Sequence, residues 1–230
     1  DNNIKMRGHT LIWHSQTPDW FFMEGYSNKP DAVFASREVM LERMENYIRL
    51  VMEYVNTTYP GVVYAWDVVN EAIAPGDGGE NGMRMSDSLW YQTIGPDFVE
   101  KAFEYARKYA APEQKLFYND FNTYETAKRI AILELVNKIK DQGNIDGIGM
   151  QSHIGMNSPT LLDYEETIRK FGETGLEIQI TELDINLDSN SEEDFMKEGT
   201  RYKRLFFTFK NLVDTGAANI TNITVWGLTD

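Results

Sequence analysis

Residues 64–71 read Tyr64-Ala65-Trp66-Asp67-Val68-Val69-Asn70-Glu71. Apolar, β-branched and aromatic residues make up most of the run, which is the composition of a strand. It ends in an amide and a carboxylate. A glutamate closing an apolar strand carries a desolvation cost that a solvated helix face would spare it. Working outward, the same design recurs. Strands are expected at Met6–Trp13, Val63–Val69, Lys115–Asn119, Ile145–Ser152, Glu177–Leu183 and Ile223–Leu228. Polar or aromatic groups stand at nearly every C-terminal strand end: His9, Asn70 with Glu71, Asn119 with Asp120, Gln151 with His153, Glu182 with Asp184, and Trp226.

Segments of helical period separate these strands. Arg37–Asn56 carries its apolar stripe at Val39, Met40, Met44, Tyr47, Ile48, Val51 and Val55, with Ser36 placed as N-cap. Asp97–Ala110, Glu125–Asp141, Leu161–Glu173 and Phe195–Asp214 repeat the pattern, the last three followed closely by Gly143, Gly175 and Gly216. Strict strand–helix alternation implies parallel strands joined by crossovers, an α/β protein. No G-x-G-x-x-G or G-x-x-x-x-G-K-[ST] follows a strand, which removes support for a phosphate-binding open sheet. Site residues spread over many strand ends favour a (β/α)8 TIM barrel, and the chain is read as one domain over residues 1–230.

Charge and composition close several alternatives. The 230 residues hold 22 Lys+Arg against 36 Asp+Glu, a net charge of −14. A nucleic-acid partner would call for a basic face, so none is expected. No apolar run has the roughly 18 residues of a membrane span, so no membrane role is expected either. The absence of cysteine removes thiolate nucleophiles and Cys-based zinc sites. No G-x-S-x-G elbow or H-E-x-x-H occurs. Carboxylates remain, and no metal or cofactor is expected.

Glu71 and Glu182, on different strands, could face each other over a cleft, with one protonating a leaving oxygen and the other attacking a sugar. The competing reading makes each an ordinary strand-end charge held by a helix N-terminus or a lysine. Residues two apart on a strand share a face, so Gln151 points with His153, Glu182 with Asp184, and Arg7 with His9, Leu11 and Trp13. A histidine beside a carboxylate on the adjacent strand could hold its geometry and charge. Aromatic surfaces beside amides and acids suit carbohydrate.

These motifs resemble those of glycoside hydrolase family 10, retaining endo-β-1,4-xylanases on a (β/α)8 barrel. Arg7-Gly8-His9-Thr10-Leu11-Ile12-Trp13-His14-Ser15-Gln16, followed by Pro18-Asp19-Trp20, resembles the family's strand three. Trp66-Asp67-Val68-Val69-Asn70-Glu71 is similar to its acid/base motif, and Ile180-Thr181-Glu182-Leu183-Asp184 to its nucleophile motif. Tyr118-Asn119-Asp120, Gly149-Met150-Gln151-Ser152-His153 and Val225-Trp226-Gly227-Leu228-Thr229-Asp230 resemble strands five, six and eight.

The resemblance implies Glu71 as acid/base, Glu182 as nucleophile, and Asn70 on the sugar 2-hydroxyl. It implies that His153, backed by Asp184, orients Glu182. Gln151, His9, Trp13 and Trp226 would line the glycone side, with Tyr118 and Asn119 on the leaving-group side. His14 and Asp67 are read as structural support. The substrate would be xylan or xylo-oligosaccharides and the location extracellular. Strands one and two and the last helix have no counterpart here, so a further segment or a second chain is expected to complete the barrel. A barrel glycosidase acting on another β-1,4-glycan and a non-catalytic polysaccharide-binding barrel are the rival readings.

Overall fold

The computed structural model describes residues 4–187 and 189–227. Leu228, Thr229 and Asp230 of the last motif lie outside the described residues. The chain forms two compact units, Asp1–Tyr118 with Glu134–Asp146, and Asn119–Leu133 with Gly147–Asp230.

In the first unit, β1 (Met6–Gly8) and β2 (Ile12–Trp13) pair in parallel with β3 (Val63–Asn70). One continuous strand was expected over Met6–Trp13. It is broken because Leu11 N–H and the Thr10 hydroxyl both donate to the Asp67 carbonyl, at 3.0 and 2.9 Å. β3 is buried at seven of its eight positions, the polar Asp67 and Asn70 included. Helix α1 (Arg37–Thr58) starts where Ser36 Oγ accepts the Val39 amide at 3.4 Å. Its buried stripe holds Met40, Met44, Ile48 and Met52. Two helices follow β3. The short α2 (Leu89–Ile94) was not expected from the sequence; α3 (Phe98–Tyr109) buries Phe98, Val99, Ala102, Phe103 and Ala106.

β4 (Lys115–Asp120) and α4 (Thr126–Asp141) each have residues in both units. In the second unit β5 (Gly147–Met150), β6 (His153–Gly155) and β8 (Asn219–Val225) all pair in parallel with β7 (Glu177–Asn186). The single strand expected at Ile145–Ser152 is shorter, and β6 stands apart from it after Ser152, whose φ is +70°. β8 begins earlier than expected because Ile220 and Ile223 register against Ile178 and Ile180. α5 (Leu161–Gly172) and α6 (Glu192–Asp214) are capped by Thr160 and Ser191. Gly143, Gly175 and Gly216 leave α4, α5 and α6 with φ of +77°, +75° and +68°, the left-handed exit that glycine adopts without Cβ strain. No helix among the described residues is long and apolar enough to cross a membrane.

Candidate active site

The polar strand ends of the first unit gather around Glu71. Its backbone sits at φ +59°, a left-handed conformation uncommon for a residue with a Cβ. The local structure holds it there. Arg84 Nε donates to the Glu71 carbonyl at 2.9 Å, and the Arg84 amide donates to Ala72 O at 2.8 Å. The carboxylate is aimed from both sides: Trp13 Nε1 donates to Oε2 and Asn70 Nδ2 to Oε1, each at 3.1 Å. Trp13 is fixed in turn by Trp90, buried at 2% exposure, whose Nε1 donates to the Trp13 carbonyl at 3.1 Å.

His9 lies with its ring centroid 6.4 Å from that of Trp13, and its Nδ1 is 3.1 Å from Asp67 Oδ2. Asp67 is buried and also takes a hydrogen bond from Arg7. That is the supporting role expected for Asp67. The Gly-rich segment after β3 is tied down by Asp77. Its carboxylate accepts the Ser86 hydroxyl and the amides of Met85 and Ser86, and these bonds hold its pKa down at about 2.

In the second unit the arrangement centres on Glu182. Asn119 Nδ2 donates to Glu182 Oε1 at 2.9 Å, and His153 Nε2 lies 3.1 Å from Oε2. The other ring nitrogen, Nδ1, lies 2.8 Å from Asp184 Oδ2. His153 and Asp184 are direct partners in the β6–β7 register, which is why the ring spans both carboxylates. The hydrogen bond to Glu182, then that to Asp184, push the His153 pKa up from 6.5 to about 9 against the pull of burial. At neutral pH the ring is an imidazolium donating from both nitrogens. Trp226, half exposed, stands edge-on to it with centroids 6.2 Å apart. Gln151 is buried; its backbone N–H donates to Asp120 O and its backbone carbonyl accepts from the Glu182 N–H.

Tyr118 and Asn119, expected against the leaving-group sugar, each have 0% exposure in this chain. The Tyr118 hydroxyl accepts the Ile73 amide at 3.1 Å, and the Asn119 amide holds Glu182. Both support the glutamates. Sequence reasoning also missed Arg84 and Lys128. Lys128, 4% exposed, lies 2.7 Å from the fully buried Asp120 and 3.5 Å above the Phe121 ring. Arg84 carries no signal in a single sequence. Lys128 could have been noticed, since it lies three residues before Ala131 and four before Ile132, both buried. Among the described residues no group of three or more His, Asp or Glu side chains is arranged to hold a metal ion.

The sequence pattern of glycosyl hydrolase family 10 matches residues 1–230. The whole chain aligns at 49% identity with 35% of an endo-1,4-β-xylanase B from Butyrivibrio fibrisolvens. It aligns at 43% with 75% of a putative endo-1,4-β-xylanase from Caldicellulosiruptor saccharolyticus. Among solved structures, the CBM22-1–GH10 modules of Clostridium thermocellum endo-1,4-β-D-xylanase 10B, complexed with xylohexaose, superpose with a TM-score of 0.89 at 36% identity. That match covers 98% of this chain and 46% of the other. The chain thus spans about a third of the first relative and under half of the crystallised one. Its fold is that of a partial (β/α)8 barrel.

Proposed function

Because this chain belongs to glycosyl hydrolase family 10, we propose that it cleaves internal β-1,4-xylosidic bonds of xylan with retention, Glu182 acting as nucleophile and Glu71 as acid/base. The observation that carries this reading is the state of Glu182. One oxygen is held by a neutral amide and the other by an imidazolium. The two donors hold both oxygens and fix the orientation of the carboxyl, which is what a nucleophile needs.

In the first displacement a Glu182 oxygen attacks the anomeric carbon while the Glu71 carboxyl gives its proton to the departing glycosidic oxygen. Trp13 and Asn70, donating to Oε2 and Oε1, hold the Glu71 carboxyl in place for that transfer. The resulting ester removes the charge of Glu182. Glu71, now a carboxylate, takes a proton from water as that water attacks the same carbon, and Glu182 leaves. Retention requires carboxyls about 5–5.5 Å apart; inversion requires roughly 6.5–9.5 Å. Asn70 meets the 2-hydroxyl, and the exposed Trp226 ring, with His9, Trp13 and Gln151, receives the glycone sugar. Xylo-oligosaccharides are the products. Secretion belongs to the same proposal and is tested by assaying culture medium against cell extract.

Reducing-sugar release from xylan and from carboxymethylcellulose tests the substrate. The reading predicts release from xylan alone, with loss of more than about a thousandfold in Glu71→Ala and Glu182→Ala. Preferential release from carboxymethylcellulose would select the other β-1,4-glycan reading. Release from neither would select the non-catalytic one.

A further inference from the structure

Glu182 is held by Asn119, and Asn119 is itself held. The Thr181 hydroxyl donates to Asn119 Oδ1 at 2.7 Å, while Asn119 Nδ2 donates to Glu182 Oε1 at 2.9 Å. All three side chains are buried, at 4%, 0% and 6% exposure for Thr181, Asn119 and Glu182. Consecutive strand residues ordinarily point to opposite faces. The β7 register against β8 shifts between Ile180 and Leu183, and within that interval Thr181 and Glu182 both reach the same amide. A second, independent feature makes room for the arrangement. A Cβ placed on Gly149 would collide with Asn119 Oδ1 and come within 3.1 Å of Thr181 Cγ2.

We propose that Thr181 is a positioning residue for the nucleophile: its hydroxyl, acting through the Asn119 amide in space left by Gly149, strengthens the hydrogen bond that aims the Glu182 carboxylate. An ionised carboxylate only accepts, so Asn119 must turn Nδ2 toward Glu182 and Oδ1 away from it. Thr181 supplies the proton that Oδ1 then needs. Donation into Oδ1 polarises the amide and makes Nδ2–H a better donor, the cooperativity of linked hydrogen bonds at low dielectric. A valine of the same shape at 181 would leave the packing and remove that proton. The other charged groups about Glu182 are His153 from β6, Asp184 from β7, and Asp120 beside Asn119, paired with Lys128. None of these is altered by changes at 181 or 149.

The proposal rests on Glu182 being the nucleophile, and its test separates the two ideas. The Asn119 side-chain amide protons are read by 1H–15N NMR in the intact protein, assigned by their loss in Asn119→Ala, beside kcat and KM on xylo-oligosaccharides. Thr181→Val should move the Nδ2 proton that faces Glu182 upfield as that bond weakens. It should also lower kcat several-fold at unchanged KM. Thr181→Ser should restore both, and Gly149→Ala should reproduce the valine effect; if Thr181→Val fails to fold, Gly149→Ala and Thr181→Ala decide. A folded variant lacking the hydroxyl with an unmoved Asn119 resonance overturns the proposal, as does a Thr181→Ser resonance displaced as far as that of Thr181→Val. If neither parent nor variant hydrolyses xylan while the Asn119 resonance moves as expected, the positioning role stands and the functional reading fails.

Discussion

Asp184→Asn offers the most detailed prediction. Asparagine keeps an acceptor for His153 Nδ1, which lies 2.8 Å from Asp184 Oδ2, and removes only the charge. His153 titrates near 9 against an ordinary 6.5, and the Glu182 bond outweighs the Asp184 bond among the causes. Losing the Asp184 charge should therefore remove the smaller share and bring His153 to about 8. Glu182→Gln should bring it to about 7. At pH 8.5 the imidazolium population would fall from about three quarters to about a quarter in Asp184→Asn, since a group is half protonated at its pKa.

The assay is an imidazole 15N titration, read beside the alkaline limb of kcat/KM, which should move down with it. Stability carries the same signature. A folded pKa above the unfolded one stabilises fully below pH 6.5, and that contribution is lost as pH rises through 9. The urea midpoint should decline over that window more steeply in the parent than in Asp184→Asn, by a modest amount because His153 is partly solvated. A parent midpoint near 6.5, or a larger drop in Asp184→Asn than in Glu182→Gln, would refute the reasoning.

Three further perturbations follow from the same structure. Arg84→Lys loses the Nε donor to the Glu71 carbonyl. A charge-assisted bond of about 1.5–3 kcal/mol corresponds to a tenfold to hundredfold fall in kcat, with KM changed little in steady-state assays. Lys128→Met leaves the Asp120 carboxylate buried without its cation and should cost about 3–5 kcal/mol in urea unfolding. Adding Asp120→Asn should recover part of it. Asp77, held near 2, contributes stability present above pH 3.8 and lost as pH falls through 2. In Asp77→Asn that acid-side slope in thermal unfolding should flatten.

Much of the fold was legible because local signals and tertiary packing agree. Ser36 caps α1 as its position announced, and Gly143, Gly175 and Gly216 lie two or three residues past the ends of α4, α5 and α6. The strands were legible in position and less so in extent. Period-two reading assumes an unbroken ladder, and at residues 9–11 the Asp67 carbonyl draws two donors and ends it. Glutamates at apolar strand ends were visible for the same reason that makes them costly. Two of their supports, Arg84 and Asn119 acting on Glu182, were not. Arg84 and Glu71 are 13 residues apart, and Asn119 and Glu182 63 apart. Pairs at such separations leave no periodic trace in one sequence. Tyr118 and Asn119 were placed by resemblance on the leaving-group side, and their full burial leaves no mark in the sequence.

The most direct test of the two-glutamate account is trapping of the intermediate. The protein is incubated with a 2-deoxy-2-fluoro-xylobioside bearing an activated leaving group, and the labelled peptide is identified by mass spectrometry. The account predicts a covalent fluoroxylobiosyl ester on Glu182, formed in the parent and absent in Glu182→Gln. Hydrolysis of xylan with no covalent adduct, or an adduct on any other residue, would contradict it.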